Sequence, residues 1–451
     1  GNKKIYMETS LAYATKIGTD HDVSALFLLS QKESQLQNVA YPYKKQSAVG
    51  RVSYAYGNKY FTDASFGFTG SENFAPENRF GFFPAFGLGY MLTNEYKIGE
   101  LIQSIGINKL KLRVSYGKTG NDQVSNTRFP YKENLNWTTN TLSLGMSSSG
   151  GINSSGNLLF EKQAYNPNIR WEVEDKKNIG IDLTSWHNSL NFTIDYFDNL
   201  RHDILITRNT VSEVAGLQQA PFENFGKVSN HGVDASLNLN KKISDFSIGG
   251  TGTFTFAKNK IIEMDEVPRA EWYQNTTGTS IGTIDGWVAE RLYTYDDFNI
   301  IVNPTTGTKT YNLKEGFPIS KLGNIAPGNI KYADLNNDGV IDGFDWTKHV
   351  DGAKTSIPQI IYGFGINVGY KGFYVSSFFQ GVANATAYLD PSFMIPFVGS
   401  NPLATSTKGF SLDRWSEENP NPNALLPRLQ INNTNQSDNR RSSWFLRDAG
   451  F

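Results

Sequence analysis

The chain has no cysteine in 451 residues, which excludes a disulfide framework, a thiolate metal site and catalysis by a thiol. It has no apolar run of about eighteen residues, and its mean hydropathy is -0.41, so no segment reads as a helical membrane span. An excess of either charge is also missing. The 42 Lys and Arg against 43 Asp and Glu leave a net charge of -1, which gives no electrostatic reason to expect nucleic acid. The densest charge run, Glu172 to Lys177, mixes both signs. Catalytic signatures are absent as well. The histidines at 21, 187, 202, 231 and 349 lack metal-ligand spacing, and no G-x-S-x-G, H-E-x-x-H or P-loop occurs. Carboxylate pairs such as Asp296 and Asp297 read as solvated loop charge, so the expectation is a protein that is not an enzyme. No signal peptide opens the chain: Gly1-Asn2-Lys3-Lys4 runs straight into strand-like sequence, which predicts a mature or internal start.

What is present is alternation. Val233, Ala235, Leu237 and Leu239 alternate with Asp234, Ser236, Asn238 and Asn240, and Leu110, Leu112, Val114 and Tyr116 alternate with Lys111, Arg113, Ser115 and Gly117. A period of two sends successive side chains to opposite faces of a strand. Strand candidates form pairs: Met7 to Ile17 with Val23 to Glu33, Ala48 to Tyr56 with Tyr60 to Gly70, and Gly81 to Leu92 with Asn108 to Lys118. Further pairs are Trp171 to Trp186 with Leu190 to Thr207, Gly226 to Asn240 with Phe246 to Lys258, and Ile360 to Tyr370 with Phe373 to Tyr388. Short turns such as Tyr56-Gly57-Asn58-Lys59 join the members of a pair as hairpins. Long Gly-, Ser-, Asn- and Pro-rich connections (119–167, 262–280, 296–358 and 390–441) separate the pairs. Short turns at one end and long loops at the other are the asymmetry of outer-membrane barrels, whose strands bury only one face in lipid and so look polar on average. The expected fold is therefore all-β, an antiparallel transmembrane β-barrel with long extracellular loops. Lys111, Arg113, Asp195 and Asp234 would face a wet lumen and Leu112, Phe192 and Leu237 lipid, with Trp171 and Trp186 in interface belts. A large soluble β-protein would alternate too, but with shorter strands.

The most specific local pattern is Asp334-Leu335-Asn336-Asn337-Asp338-Gly339-Val340-Ile341-Asp342-Gly343-Phe344-Asp345. A calcium loop supplies oxygen ligands at its first, third, fifth, seventh, ninth and twelfth positions, with Gly at the sixth for the sharp turn. Those positions are Asp334, Asn336, Asp338, the Val340 carbonyl, Asp342 and Asp345, with Gly339 in the turn. Asp at the last position reaches less far than the usual Glu. Ile330-Lys331-Tyr332 before the loop reads as extended, so the pattern resembles an isolated dockerin-type loop that binds a structural Ca2+. The same Asn, Asp and Gly content also suits a plain turn without metal.

Several stretches together resemble the SusC/RagA-like TonB-dependent outer-membrane transporters of Bacteroidota. They are Glu77-Asn78-Arg79-Phe80-Gly81-Phe82-Phe83-Pro84, Asn166-Pro167-Asn168-Ile169-Arg170-Trp171-Glu172 and Asn224-Phe225-Gly226-Lys227-Val228-Ser229-Asn230-His231-Gly232-Val233. The calcium-type loop preceded by Gly328-Asn329-Ile330-Lys331-Tyr332 follows, then Tyr370-Lys371-Gly372-Phe373 with Phe378-Phe379-Gln380-Gly381, Asp413-Arg414-Trp415 with Glu418-Asn419-Pro420, and Arg447-Asp448-Ala449. Their order and spacing carry the resemblance from about Gln46 onward. It implies a barrel of about 22 strands, closed by an N-terminal plug, that imports an oligosaccharide or oligopeptide with energy from TonB under a SusD-like surface lipoprotein. The whole of 1–451 would then be a barrel portion with a dozen or so strands, without a recognisable plug domain or TonB box, in the outer membrane of a Bacteroidota-like cell.

Sugars present apolar ring faces and hydroxyl groups, so their sites usually combine aromatic platforms with Asn, Asp and Arg, and exposed aromatics in long loops suit recognition. The candidates for substrate binding are Trp272, Tyr273, Trp287, Tyr388, Phe393 and Arg414, although any of these also suits packing of the loops. A passive porin and a calcium-stiffened surface adhesin are the other functions that the alternation and loops allow.

Overall fold

A computed structural model describes residues 2–35, 41–123, 128–146, 152–212, 214, 219–350, 352–394, 409–429 and 437–451. The chain divides into two compact units, Gly1–Val267 with Tyr362–Gln380, and Pro268–Ile361 with Gly381–Phe451.

The first unit is built on one sheet of twelve strands. In chain order these are β1 (Lys3–Ile17), β2 (His21–Gln35), β3 (Tyr43–Tyr56), β4 (Tyr60–Ser71), β5 (Phe80–Met91), β6 (Ile107–Asn121), β7 (Glu172–Ser185), β8 (Leu190–Thr207), β9 (Phe222–Ile243), β10 (Phe246–Glu263), β11 (Ile360–Tyr370) and β12 (Phe373–Ala383). Each strand is bonded to the next in sequence, so the sheet is a meander. Turn chemistry explains the hairpins. Gly57 and Asn58 both take positive φ, as do Lys371 and Gly372, and such turns match the twist of paired strands.

Register settles which residues share a face. Arg113 and Asp195 both pair with Gly180, and Asp195 pairs with Asp234. These side chains, with Lys111, therefore line one face. Leu112 pairs with Ile181, Ile181 with Ile194, and Phe192 with Leu237, which puts them on the opposite face. On that face Leu112, Ile181, Leu237 and Phe254 are all exposed. A broad exposed apolar sheet face is a surface that water penalises and lipid does not. At the short-turn end of this face His21, Tyr56, Tyr60 and Tyr90 form a row of neighbouring rings 5.0, 6.5 and 5.2 Å apart. The Tyr60 and Tyr90 hydroxyls donate to Glu95 at 3.3 and 3.1 Å, so each ring presents an apolar body and a wet tip, as an interface residue does.

At the long-connection end, three of the stretches that carried the resemblance close onto one another. Asn78 Nδ2 donates to the Pro167 carbonyl at 2.9 Å, and Trp171 Nε1 to the Arg79 carbonyl at 3.1 Å. Asn166 Nδ2 donates to the Phe222 carbonyl at 2.8 Å, while Asn224 Oδ1 accepts from the Arg170 N–H at 2.9 Å. Phe74, Ala75, Tyr131, Ile169, Trp171 and Leu205 form a buried core inside this knot, with Phe83 packed edge-on against Trp171 at 5.2 Å. Trp171 is thus a core residue and not part of an interface belt: its indole is enclosed by loop side chains. Trp186 stands exposed in the short turn between β7 and β8.

The second unit has its own core of Leu292, Ile330, Tyr332, Ile341, Trp415, Leu426 and Phe445. Around it lie short pairs: Ala289–Leu292 with Ile330–Tyr332, Phe298–Val302 with Lys309–Leu313, and Thr386–Tyr388 with Leu446–Asp448.

Two expectations change. The connection 119–167 contains a further hairpin, Asn134–Met146 with Ile152–Gln163. The strand expected from Phe373 to Tyr388 stops at Ala383, because Asn384 takes a left-handed φ of 57° and breaks the ladder.

Candidate functional site

In the first unit the polar face of the sheet is a charged wall. Arg113 bridges two strands, its Nε donating to Asp182 at 2.8 Å and its Nη2 to Asp195 at 3.0 Å. Gly180 makes the room: a Cβ there would lie 2.3 Å from Asp195 Oδ1 and 2.7 Å from Arg113 Nη2. Arg51 donates to Asp63 at 2.9 and 2.7 Å, and Ser53 adds a third bond at 2.6 Å. The Lys111 ammonium sits 4.3 Å over the Phe61 ring. Arg51, Ser53, Phe61, Asp63, Lys111 and Arg113 border a groove of about 690 Å³. Paired charges spread along a wall suit a water-filled passage. Asp182, Arg51 and Asp63 were not singled out from the sequence, although Asp182 follows from the same alternation that gave Arg113.

In the second unit the calcium-type loop is a turn held by its own acidic side chains. Asn337 and Gly339 take positive φ. Asp334 accepts from the Asp338 and Gly339 N–H groups at 3.2 and 2.8 Å, and Asp345 from those of Leu335 and Asp342 at 2.7 and 2.8 Å. Asn336 accepts from the Asp338 N–H, Asp338 from that of Val340, and Asp342 from Phe344 and from the Lys321 ammonium at 3.2 Å. Burial, with the Asp334 charge adding to it, raises the Asp345 carboxyl above its ordinary range, whereas the Phe344 N–H and Lys321 hold Asp342 below it. The donor set is all oxygen, which suits Ca2+. Yet among the described residues no three acidic or histidine side chains converge to hold an ion, since the carboxylates are turned onto backbone N–H groups. A bound cation would have to draw them off.

The aromatic candidates gather partly around this loop. The Tyr273 hydroxyl donates to the Phe344 carbonyl at 2.9 Å, and burial pushes its pKa up to about 12. Trp287 Nε1 donates to the Asp342 carbonyl at 3.4 Å, with the Arg440 guanidinium 5.2 Å over its ring. Trp272 is 71% exposed and lies 5.4 Å from the His349 ring. Gln274, which the sequence did not single out, clamps the same turn by donating to the Gly343, Phe344 and Trp346 carbonyls at 2.9, 3.2 and 3.2 Å. Beside these lies a cleft of about 510 Å³ bordered by Arg269, Gln274, Trp287, Phe344 and Trp346. Tyr388 packs at the unit's core under Arg441, 5.0 Å from its ring, and Arg414 donates to the Ser411 carbonyl at 3.1 Å. Neither borders the cleft. Phe393 belongs to the short helix Pro391–Met394, and its side chain lies outside the described residues.

Comparison with known proteins agrees with this architecture. The chain is 26% identical over 398 residues to TonB-dependent receptor P3 of Formosa agariphila, covering 85% of this chain and 36% of that protein. It is 24% identical over 419 residues to TonB-dependent receptor SusC of Bacteroides thetaiotaomicron, covering 90% of this chain and 36% of that protein. The chain thus spans little more than a third of these relatives. The structure of the RagAB peptide transporter superposes with a TM-score of 0.68 at 17% identity, over all of this chain and 48% of that one. The family model described as TonB dependent receptor-like, beta-barrel, matches residues 40–355, and with the apolar outer face of its sheet the chain belongs to the TonB-dependent receptors, β-barrel proteins of the outer membrane.

Proposed function

We propose that the chain supplies wall and external loops to an importer that carries a large nutrient, an oligosaccharide or an oligopeptide, across the outer membrane without chemical conversion. TonB would provide the energy, and a SusD-like surface lipoprotein would hold the cargo over the mouth. The observation that carries this reading is the two-faced sheet, apolar outside and lined with bridged charges inside. Loop aromatics next to a polar clamp suit sugar ring faces; the peptide reading draws on the likeness to the RagAB transporter. The cleft of Trp287, Phe344 and Trp346 is the proposed contact on this chain, with Trp272, Tyr273, Tyr388, Phe393 and Arg414 serving the same loops. Ca2+ held by Asp334, Asn336, Asp338, the Val340 carbonyl, Asp342 and Asp345 would stiffen the turn on which Phe344 stands.

The test is uptake of labelled oligosaccharides and oligopeptides by cells carrying the full-length protein, with and without TonB. Import should need TonB, and Phe344→Ala should weaken cargo binding about tenfold, or roughly 1.4 kcal/mol. Calcium should protect the amides of 334–346 from exchange. TonB-independent uptake would leave a passive porin; cargo adhesion without uptake would leave an adhesin.

A further inference from the structure

The membrane face of the sheet changes chemistry abruptly on β6 to β10 as it approaches the long connections. One cross-strand row is Val114, Ile179, Tyr196, Val233 and Phe256. The next row outward is Tyr116, Lys177, Asp198, His231 and Lys258, and beyond it Lys118 and Lys260 stand on the two outer strands of the group. At a comparable distance from the short turns, β2 to β5 carry only Leu29, Ala48, Phe68 and Phe82 on this face. The charge is therefore a local patch and not a general rim.

Within the patch, Lys118 is paired with Asp175 at 3.1 Å. Lys177, Lys258 and Lys260 are exposed, and among the described residues no carboxylate pairs with them. Asp198 is the one carboxylate nearby that forms no ion pair among the described residues. Lys177 and Lys258 stand three strands apart, roughly 14 Å at ~4.8 Å per strand, and Lys258 and Lys260 one two-residue step apart, roughly 7 Å. That spread is too wide for one carboxylate. It fits several phosphate oxygens presented side by side, directly above a surface that takes acyl chains.

We propose that Lys177, Lys258 and Lys260, aided by Lys118 and His231, hold the phosphate groups of a phosphorylated lipid of the outer leaflet, whose acyl chains lie over Val114, Ile179, Tyr196, Val233 and Phe256. The site rests on the membrane placement of the sheet and is independent of the cargo. It gives this sector of the wall a fixed lipid neighbour and hence a preferred height in the bilayer.

The experiment uses the full-length protein in phosphatidylcholine nanodiscs doped with lipid A or with its dephosphorylated form, and native mass spectrometry to count retained lipid. The wild type should retain the phosphorylated form about tenfold better. The Lys177→Gln, Lys258→Gln, Lys260→Gln triple variant should lose that preference. The corresponding triple arginine variant should keep it, as should Lys241→Gln, on the same face near the short turns. An undiminished preference in the glutamine variant, or equal loss in the arginine variant, would overturn the proposal. Displacement of the lipid by millimolar inorganic phosphate would also overturn it, because the patch would then be a site for the free anion.

Discussion

Asp297 shows how a loop carboxylate is put to structural use. Burial works against its charge, but the Arg291 guanidinium, donating at 2.6 and 2.8 Å, and the Thr294 N–H at 2.8 Å outweigh that and hold the carboxyl below its ordinary range. A carboxyl depressed in the folded state contributes stability that is present above the unfolded value of about 3.9 and is lost as pH falls through the folded one. Asp297→Asn should therefore cost about 2 kcal/mol at neutral pH, less some screening at the partly exposed Arg291. It should also flatten the acid dependence of amide exchange in the hairpin Phe298–Val302 with Lys309–Leu313. In the sequence Asp297 read only as solvated loop charge, because its partner lies on another short strand and nothing in local spacing announces it. Tyr273 and Trp171 teach the same lesson. Residue type marked Tyr273 as a candidate for substrate binding and Trp171 as a belt residue, and only the tertiary structure shows what each of them holds. The turn of the calcium-type loop was more legible, since Asn337 and Gly339 mark it locally; where its carboxylates point is not.

At the scale of the element, alternation gave the strands and their faces almost completely. All six expected pairs are adjacent in the twelve-stranded sheet, and register puts the four expected lumen residues on one face. The strand ends were less legible. β9 begins at Phe222, ahead of the Gly226 expected, because strands continue past the bilayer, where no apolar side marks their limit. The hairpin within 119–167 was hidden for a related reason: its residues are too rich in Gly, Ser and Asn to advertise a buried face. The face assignment makes a sharp prediction. Leu237→Arg puts a charge into lipid at a cost of roughly 2 to 4 kcal/mol and should impair membrane assembly. Asn238→Arg, on the polar face beside Thr251, should assemble normally. Heat-modifiable electrophoretic mobility after outer-membrane isolation reads both, and equal behaviour of the two would refute the facing.

At the scale of the whole molecule, two kinds of pairing coexist. The meander joins strands that are neighbours in sequence, whereas the rim knot ties Trp171 to Arg79 and Asn78 to Pro167 across 92 and 89 residues. Loop-closure entropy makes such distant ties late events. Trp171→Ala should cost about 3 to 5 kcal/mol, and most of it should appear as faster unfolding, by about a hundredfold or more, with the folding rate little changed. Stopped-flow denaturation of the refolded protein separates the two rates. A slowed folding arm would place the knot in the nucleus instead. If the knot does form last, three of the stretches that carry the family resemblance act as its clasp: hairpins can be laid down one after another while the outer rim stays slack, and the rim tightens only when Trp171 seats.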